Sequence, residues 1–137
     1  MSADFTVVAS EMQGFGSELG YLKGIEPEVR SVLPSKDYPL FSCPNVSPNQ
    51  AAVLMFQSRD VDNNKNIITI NDNAVKGGIP VSPTKDSWNG NVMLIRAGVL
   101  KASGNKLHIE SRNDSGSGGG DIDDFILDNV VVMYKTR

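Results

Sequence analysis

Residues 104–135 read GNKLHIESRNDSGSGGGDIDDFILDNVVVMYK, and the rest of the predicted fold must fit around them. Two segments of β type, Leu107–Ser111 and Asp121–Lys135, are joined by a polar run of Asp, Ser and Gly. Leu107 and Ile109 share one face of the first segment, because side chains alternate along a strand. The second segment is apolar on both alternating faces, which is typical of a strand in the middle of a sheet. We therefore predict two strands and expect any chemistry to lie in the loop between them.

Further short apolar segments, separated by turns rich in Gly, Pro and Asn, predict the other strands of an all-β protein. These segments are Phe5–Ala9, Ala51–Gln57, Ile67–Ile70 and Val92–Ile95. The run at Ala51–Gln57 is continuously apolar and favours a strand buried on both faces. No long segment has a helical period, so we expect at most a short helix near residues 27–33, between two prolines. The prediction is a single antiparallel β-sandwich domain over residues 1–137.

Composition limits the classes of protein that fit. A chain of 137 residues with 39% hydrophobic and 21% charged residues suits one globular domain. The net charge of −3 offers no basic footprint, so nucleic acid is not an expected partner. No stretch approaches about 20 apolar residues, so no membrane partner is expected. The first residues lack the pattern of a Sec-type signal, which makes the cytoplasm the default location.

Four motifs in a fixed order resemble the galactose-binding-domain-like jelly roll, the fold of many carbohydrate-binding modules and lectin-like domains. The motifs are Asn63–Asn71, Trp88–Ile95, Gly98–Ile109 and Asp123–Val130. The resemblance implies a non-catalytic module that binds carbohydrate. The same fold also hosts protein binders, so the alternative is a structural or protein-interaction domain, such as an assembly or accessory subunit. A homo-oligomer or a protein partner would accompany that alternative.

A candidate ligand site combines one aromatic ring with polar side chains. Trp88 stands in a segment rich in Gly, Pro and Asn beside Asn89 and Asn91, where an exposed indole could stack on a sugar ring. Arg112 and Asn113, at the end of a predicted strand, would bond sugar hydroxyls if the two loops share one end of the sandwich. The alternative is that Trp88 belongs to the core.

A candidate metal site follows the Gly/Ser loop. Asp121, Asp123 and Asp124 place carboxylates beside a chain that can wrap around an ion, and calcium prefers such oxygen ligands. The resemblance adds that jelly-roll binding modules often hold a structural calcium. The alternative is a solvated loop whose charges have no ligand.

Other motifs predict no further chemistry. Asp60–Asn64 has the spacing that opens an EF-hand loop, but Lys65 replaces the required glycine and Asn71 replaces the closing glutamate. The glycines of Ser115–Gly120 lack the lysine and helix of a phosphate-binding loop. His108 has no second histidine and no metal-binding cysteine near it in the sequence. We therefore expect no enzymatic activity.

Overall fold

The computed structural model describes residues 2–18, 20–22, 25, 29 and 31–137. Strands make up nearly all of its regular structure, and the one 3-10 turn within these ranges is Gly20–Leu22. The strands are β1 (Ala3–Ala9), β2 (Gln13–Phe15), β3 (Val32–Leu33), β4 (Ser35–Asp37), β5 (Ala52–Arg59), β6 (Ile67–Ile70), β7 (Asn73–Ala74), β8 (Trp88–Ile95), β9 (Leu107–Glu110) and β10 (Phe125–Lys135). The all-β prediction is confirmed.

The strands form two sheets. The larger sheet has the order β3-β2-β10-β5-β8, and β1 also pairs with β10, on the side away from β5. The smaller sheet has the order β4-β9-β6-β7. Strand β10 is central, as its two apolar faces predicted, because β5 pairs with one edge while β1 and β2 share the other.

The main core lies between the two sheets and is built by strand alternation. From β9, Leu107 and Ile109 both point inward and are buried, as predicted. From β10, Phe125 stacks on Phe15 of β2, with ring centroids 5.2 Å apart. A second, smaller cluster on the outer side of the larger sheet contains Leu22, Val29 and Ile126.

Two local features differ from the expectations, and a third, a bulge in β10, was not predicted. The predicted short helix falls partly on residues 27, 28 and 30, which lie outside the described residues, and Val32–Leu33 at its end is strand β3. Strand β8 begins at Trp88 and not at Val92, so Trp88 is a strand residue. Strand β10 contains a bulge between Asp128 and Val131, where Asn129 has a φ of 52°.

The buried Asn105 holds the turn that precedes β9. Gly104 takes the positive φ (67°) that the turn needs, as its residue type predicted. Asn105 acts through its side chain, which the sequence did not indicate: its Oδ1 accepts from Lys101 N at 2.8 Å, and its Nδ2 donates to Phe41 O at 3.1 Å.

Among the described residues, no helix has the length and apolar character needed to cross a membrane.

Candidate functional site: an apolar sheet face and a polar cleft

The outer side of the larger sheet carries an apolar surface, which we call the outer patch. It consists of two rows that run across β1, β10, β5 and β8 and that follow directly from the strand register. The rows are Phe5, Met133, Val53 and Leu94, and next to them Val7, Val131, Met55 and Val92.

Five side chains of the outer patch are largely open to solvent. Their exposed fractions are 64% for Phe5, 51% for Val7, 71% for Val92, 55% for Leu94 and 44% for Met133. These fractions correspond to roughly 500 Å² of apolar surface, at the upper end of the roughly 300–600 Å² found for the largest patch on a monomer. A sheet with one face in water normally alternates apolar and polar residues, and here the water-facing positions are apolar.

The neighbouring part of the same outer face is covered by the chain itself. There Ile126 of β10 is fully buried beneath Leu22 and Val29, and Trp88 packs against this cluster. The polar pair Asn129 and Gln57 lies between this covered part and the outer patch, with Asn129 Nδ2 donating to Gln57 Oε1 at 2.6 Å. One part of the face therefore has an intramolecular cover, and the outer patch has none among the described residues.

A polar cleft of about 480 Å³ opens at the end of the sandwich where the loop after β5 meets the loop between β9 and β10. Its lining is mainly carboxylate and amide, and no basic side chain of the described residues contributes to it. The lining residues are Asp62, Asn63, Asn113, Asp114, Asp121, Ile122, Asp123 and Asp124.

Asp123 joins the two loops of the cleft. Its buried Oδ2 accepts hydrogen bonds from Asp62 N at 2.9 Å, from Asn63 N at 3.4 Å and from Asn66 Nδ2 at 2.8 Å. Its Oδ1 is also buried and has no hydrogen-bond partner among the residues that the structure describes. Burial raises the pKa of Asp123, and the hydrogen bond from Asn66 is the largest influence that lowers it.

The three aspartates predicted to bind calcium have different surroundings. Asp121 is exposed, whereas Asp123 is buried as just described. The Oδ1 of Asp124 accepts from Ser17 N at 3.0 Å and from Glu18 N at 3.3 Å, which ties it to the loop after β2. In the described ranges, no three acidic, His or Cys side chains are placed so that they could hold a metal ion. Only the unpaired Oδ1 of Asp123 favours a cation here, and the calcium site stays a prediction.

The residues predicted to bind a sugar are not gathered into one platform. Trp88 is half-buried on the outer side of β8, whereas Asn89 and Asn91 alternate to the other side, where Asn91 Nδ2 donates to Ser58 Oγ at 2.8 Å. Arg112 Nε donates to Glu110 Oε2 at 3.1 Å.

Asn113 organises its own loop, because its Oδ1 accepts from Ser115 N at 3.0 Å and from Ser117 N at 2.9 Å. Of the five predicted residues, Asn113 alone lines the polar cleft.

His108 has partners that its sequence neighbourhood only partly indicated. Its Nδ1 lies 2.6 Å from Asp37 Oδ1 of β4, and its Nε2 lies 2.8 Å from Glu110 Oε1 of β9, the strand that also carries His108. Burial lowers the pKa of His108, but the hydrogen bonds and charges of Glu110 and Asp37 together raise it above its ordinary value. The hydrogen bond with His108 lowers the pKa of Glu110, and Arg112 lowers it further. This chain of charges fastens the edge strand β4 to β9.

Sequence reasoning missed the outer patch, although the signal was present. The apolar runs of β5 and β10 indicated burial on both faces, and the structure buries only one face over the outer patch.

Comparison with protein-family models, with curated proteins and with solved structures gives no match for this chain.

Proposed function

We propose that this chain is a non-catalytic structural subunit that associates with a second copy of itself through the outer patch. The observation that carries the proposal is the pair of apolar rows, which contain eight residues and no charge. Strands that are apolar on both faces are expected where both faces are covered. Among the described residues of a single copy, Leu22 and Val29 cover Ile126, and none covers Met133.

The size of the outer patch suits a contact between two copies. A stable interface takes about 800 Å² from each partner, and the outer patch supplies roughly 500 Å² of apolar surface as its centre. The exposed Lys135 beside it would belong to a polar rim. Sheets pack face to face about 10 Å apart with interdigitating side chains, a geometry that two copies of this face can adopt.

A second copy is favoured over an unrelated protein because the outer patch has no charge pattern. Complementary charges steer and select different partners, whereas two-fold pairing needs only a surface that fits itself. An uncharged and nearly regular sheet face meets that requirement.

The test is sedimentation equilibrium of the wild-type protein and two matched variants. Met133→Lys places a charge in the centre of the outer patch, and Gln57→Lys places the same charge on the same side of the sheet, outside the patch. We expect the wild type and Gln57→Lys to associate through the outer patch, and Met133→Lys to lose association through it. Circular dichroism should show that all three proteins are folded. A wild-type protein that stays monomeric at high concentration, or that sediments only with lipid vesicles, would overturn the proposal.

We also propose that the sandwich is a jelly roll. The orders β1-β10-β5-β8 and β4-β9-β6-β7 support this, because they are the orders of the two four-stranded sheets in an eight-stranded jelly roll. Strands β2 and β3 would then be additions at one edge. An experimental structure that places β1 and β5 on the same side of β10 would contradict this topology.

Carbohydrate binding is a second proposal, favoured by the polar cleft. Carboxylates and amides such as Asp62, Asn63 and Asp121 are suitable partners for sugar hydroxyls, although Trp88 does not line this cleft. Calorimetric titration with a panel of simple sugars tests it, with Asp62→Ala as the cleft variant and Asp86→Ala as an exposed control outside the lining. Binding that survives Asp62→Ala unchanged, or no binding at all, counts against the cleft.

A further inference from the structure

Strand β8 is an edge strand without the features that usually protect an edge. It pairs with β5 on one side, and no backbone hydrogen bond to the described residues occupies its other side. Its eight residues, WNGNVMLI, contain no charge and no proline, and its pairing with β5 has no bulge. Natural proteins normally block such edges with charges, prolines, bulges or short length.

The other edges of the two sheets have these protections. Strand β1 has a bulge between Val7 and Ala9, and β4 is three residues long with Lys36 and Asp37. Strands β3 and β7 have two residues each. The long uncharged edge is therefore a specific property of β8 and not a general feature of this fold.

We infer that β8 pairs in antiparallel fashion with β8 of a second copy, so that the larger sheets of two copies become one continuous sheet. The inference takes the identity of the partner from the proposed function and adds a separate contact. Main-chain hydrogen bonds supply the contact, as in strand addition to an exposed edge. A strand paired with its own copy forms an isologous interface, and such interfaces close into two-fold dimers.

This pairing extends the outer patch. The two-fold axis of an antiparallel pair stands perpendicular to the sheet, so both copies present their outer faces on the same side. Val92 and Leu94, at the β8 end of the two rows, then continue into the rows of the second copy. The apolar surface doubles to roughly 1,000 Å², more than single proteins leave in water. Two such dimers that pack face to face make a closed tetramer with perpendicular two-fold axes.

Single cysteines test the edge contact because strand pairing and face packing differ in distance. Paired residues on antiparallel strands have Cα atoms about 4.5–5.5 Å apart, within disulfide range, whereas facing sheets lie about 10 Å apart. We would introduce cysteine at each position from Asn89 to Leu94 in turn, because only the residue on the two-fold axis faces its own copy, with Gln57→Cys on the central strand β5 as the control. Gly90 has open space for the new side chain. The native Cys43 is buried, and burial raises its pKa to about 11, so it stays out of the reaction.

We expect a disulfide-linked dimer from the β8 position nearest the two-fold axis, and none from Gln57→Cys or from the wild type. The same cysteine combined with Met133→Lys should still cross-link, in a protein that sediments as a dimer and no longer as a tetramer. No cross-link from any β8 position between Asn89 and Leu94 overturns the edge inference, whatever the outcome for the outer patch. A cross-linked tetramer that Met133→Lys leaves intact supports the edge and overturns the proposed role of the outer patch.

Discussion

Met133 of β10 lies directly opposite Phe5 of β1, and both side chains project from the sheet into solvent with exposed fractions of 44% and 64%. A cross-strand pair of this size would normally strengthen a core. Here it forms the centre and one edge of a surface whose chemistry is that of an interior. The proposed association through the outer patch is based on this exposed apolar pair.

Charges placed on this pair should separate folding from association. We expect Phe5→Lys to change the free energy of unfolding of the monomer by no more than about 0.5 kcal/mol, as is usual for exposed sites. Association should weaken at least tenfold, since one charged head group would have to lose its water in the contact. Urea unfolding of dilute protein and sedimentation of concentrated protein measure the two quantities. A large loss of monomer stability would show that Phe5 supports the fold itself.

Asn105 should be among the most sensitive polar positions. Besides the bonds to Lys101 and Phe41, its Oδ1 accepts from Asn71 Nδ2 at 2.9 Å, and the side chain is fully buried. Asn105→Ala leaves several buried groups unpaired, and each costs about 1–3 kcal/mol. We expect a loss of at least about 3 kcal/mol in urea unfolding. Asn73→Ala, at an exposed asparagine of the nearby short strand β7, is the control and should cost less than about 1 kcal/mol.

Asp123 should stabilise the loops of the cleft mainly through its hydrogen bonds. Asp123→Ala removes the acceptor for three donors and should cost about 2–4 kcal/mol, whereas Asp123→Asn keeps one acceptor oxygen and should cost less. Because the folded-state pKa of Asp123 is raised, its titration favours the folded state at low pH. That contribution is complete below the unfolded pKa of about 3.9 and is lost as the pH rises through the folded value. Stability measured from pH 3 upward should therefore fall less steeply in Asp123→Asn, and an unchanged pH profile would contradict this account.

His108 should make stability depend on pH in a second window. Its raised folded-state pKa gives a contribution that is complete below about 6.5 and is lost as the pH rises through the folded value. Glu110 has a lowered pKa, so its contribution is present above about 4.3 and is lost as the pH falls through the folded value. The contact should therefore be strongest between these limits. NMR titration of the single histidine should give a pKa above 6.5, and Asp37→Asn should lower it; a value at or below 6.5 would argue against the ion pairs in solution.

The calcium hypothesis predicts a thermal response that depends on the cleft. An ion that binds only the folded protein stabilises it by mass action, by about 2.7 kcal/mol at a hundredfold excess over its dissociation constant. Calcium should then raise the melting temperature, chelator should reverse the shift, and Asp121→Asn should reduce it. Magnesium is the matched control. If calcium and chelator do not change the melting temperature, the calcium hypothesis is wrong and the acidic residues form a solvated surface.

The local features of this protein could be predicted from its sequence. Alternation in Leu107 and Ile109, the apolar runs of β5 and β10, and the glycine at position 104 each depend on neighbouring residues, so they could be predicted. The absence of a helical period was enough for the all-β class. These signals are local because strand alternation and turn geometry are set by the backbone within a few residues.

Long-range packing sets which strands are neighbours and what covers the second face of each strand, so these features are visible only in the folded protein. The chain itself could cover both apolar faces of β10, or it could cover one face while a partner covers the other. The sequence pattern of β10 is the same in both cases. The register that aligns Phe5, Met133, Val53 and Leu94 pairs residues that are 41 to 128 positions apart in the sequence, which no local pattern encodes. Likewise, Asp123 could be recognised as one of several aspartates, but its burial and its bonds to Asp62 and Asn66 arise from long-range packing. Pairing across the chain, and not residue type, placed the candidate sites.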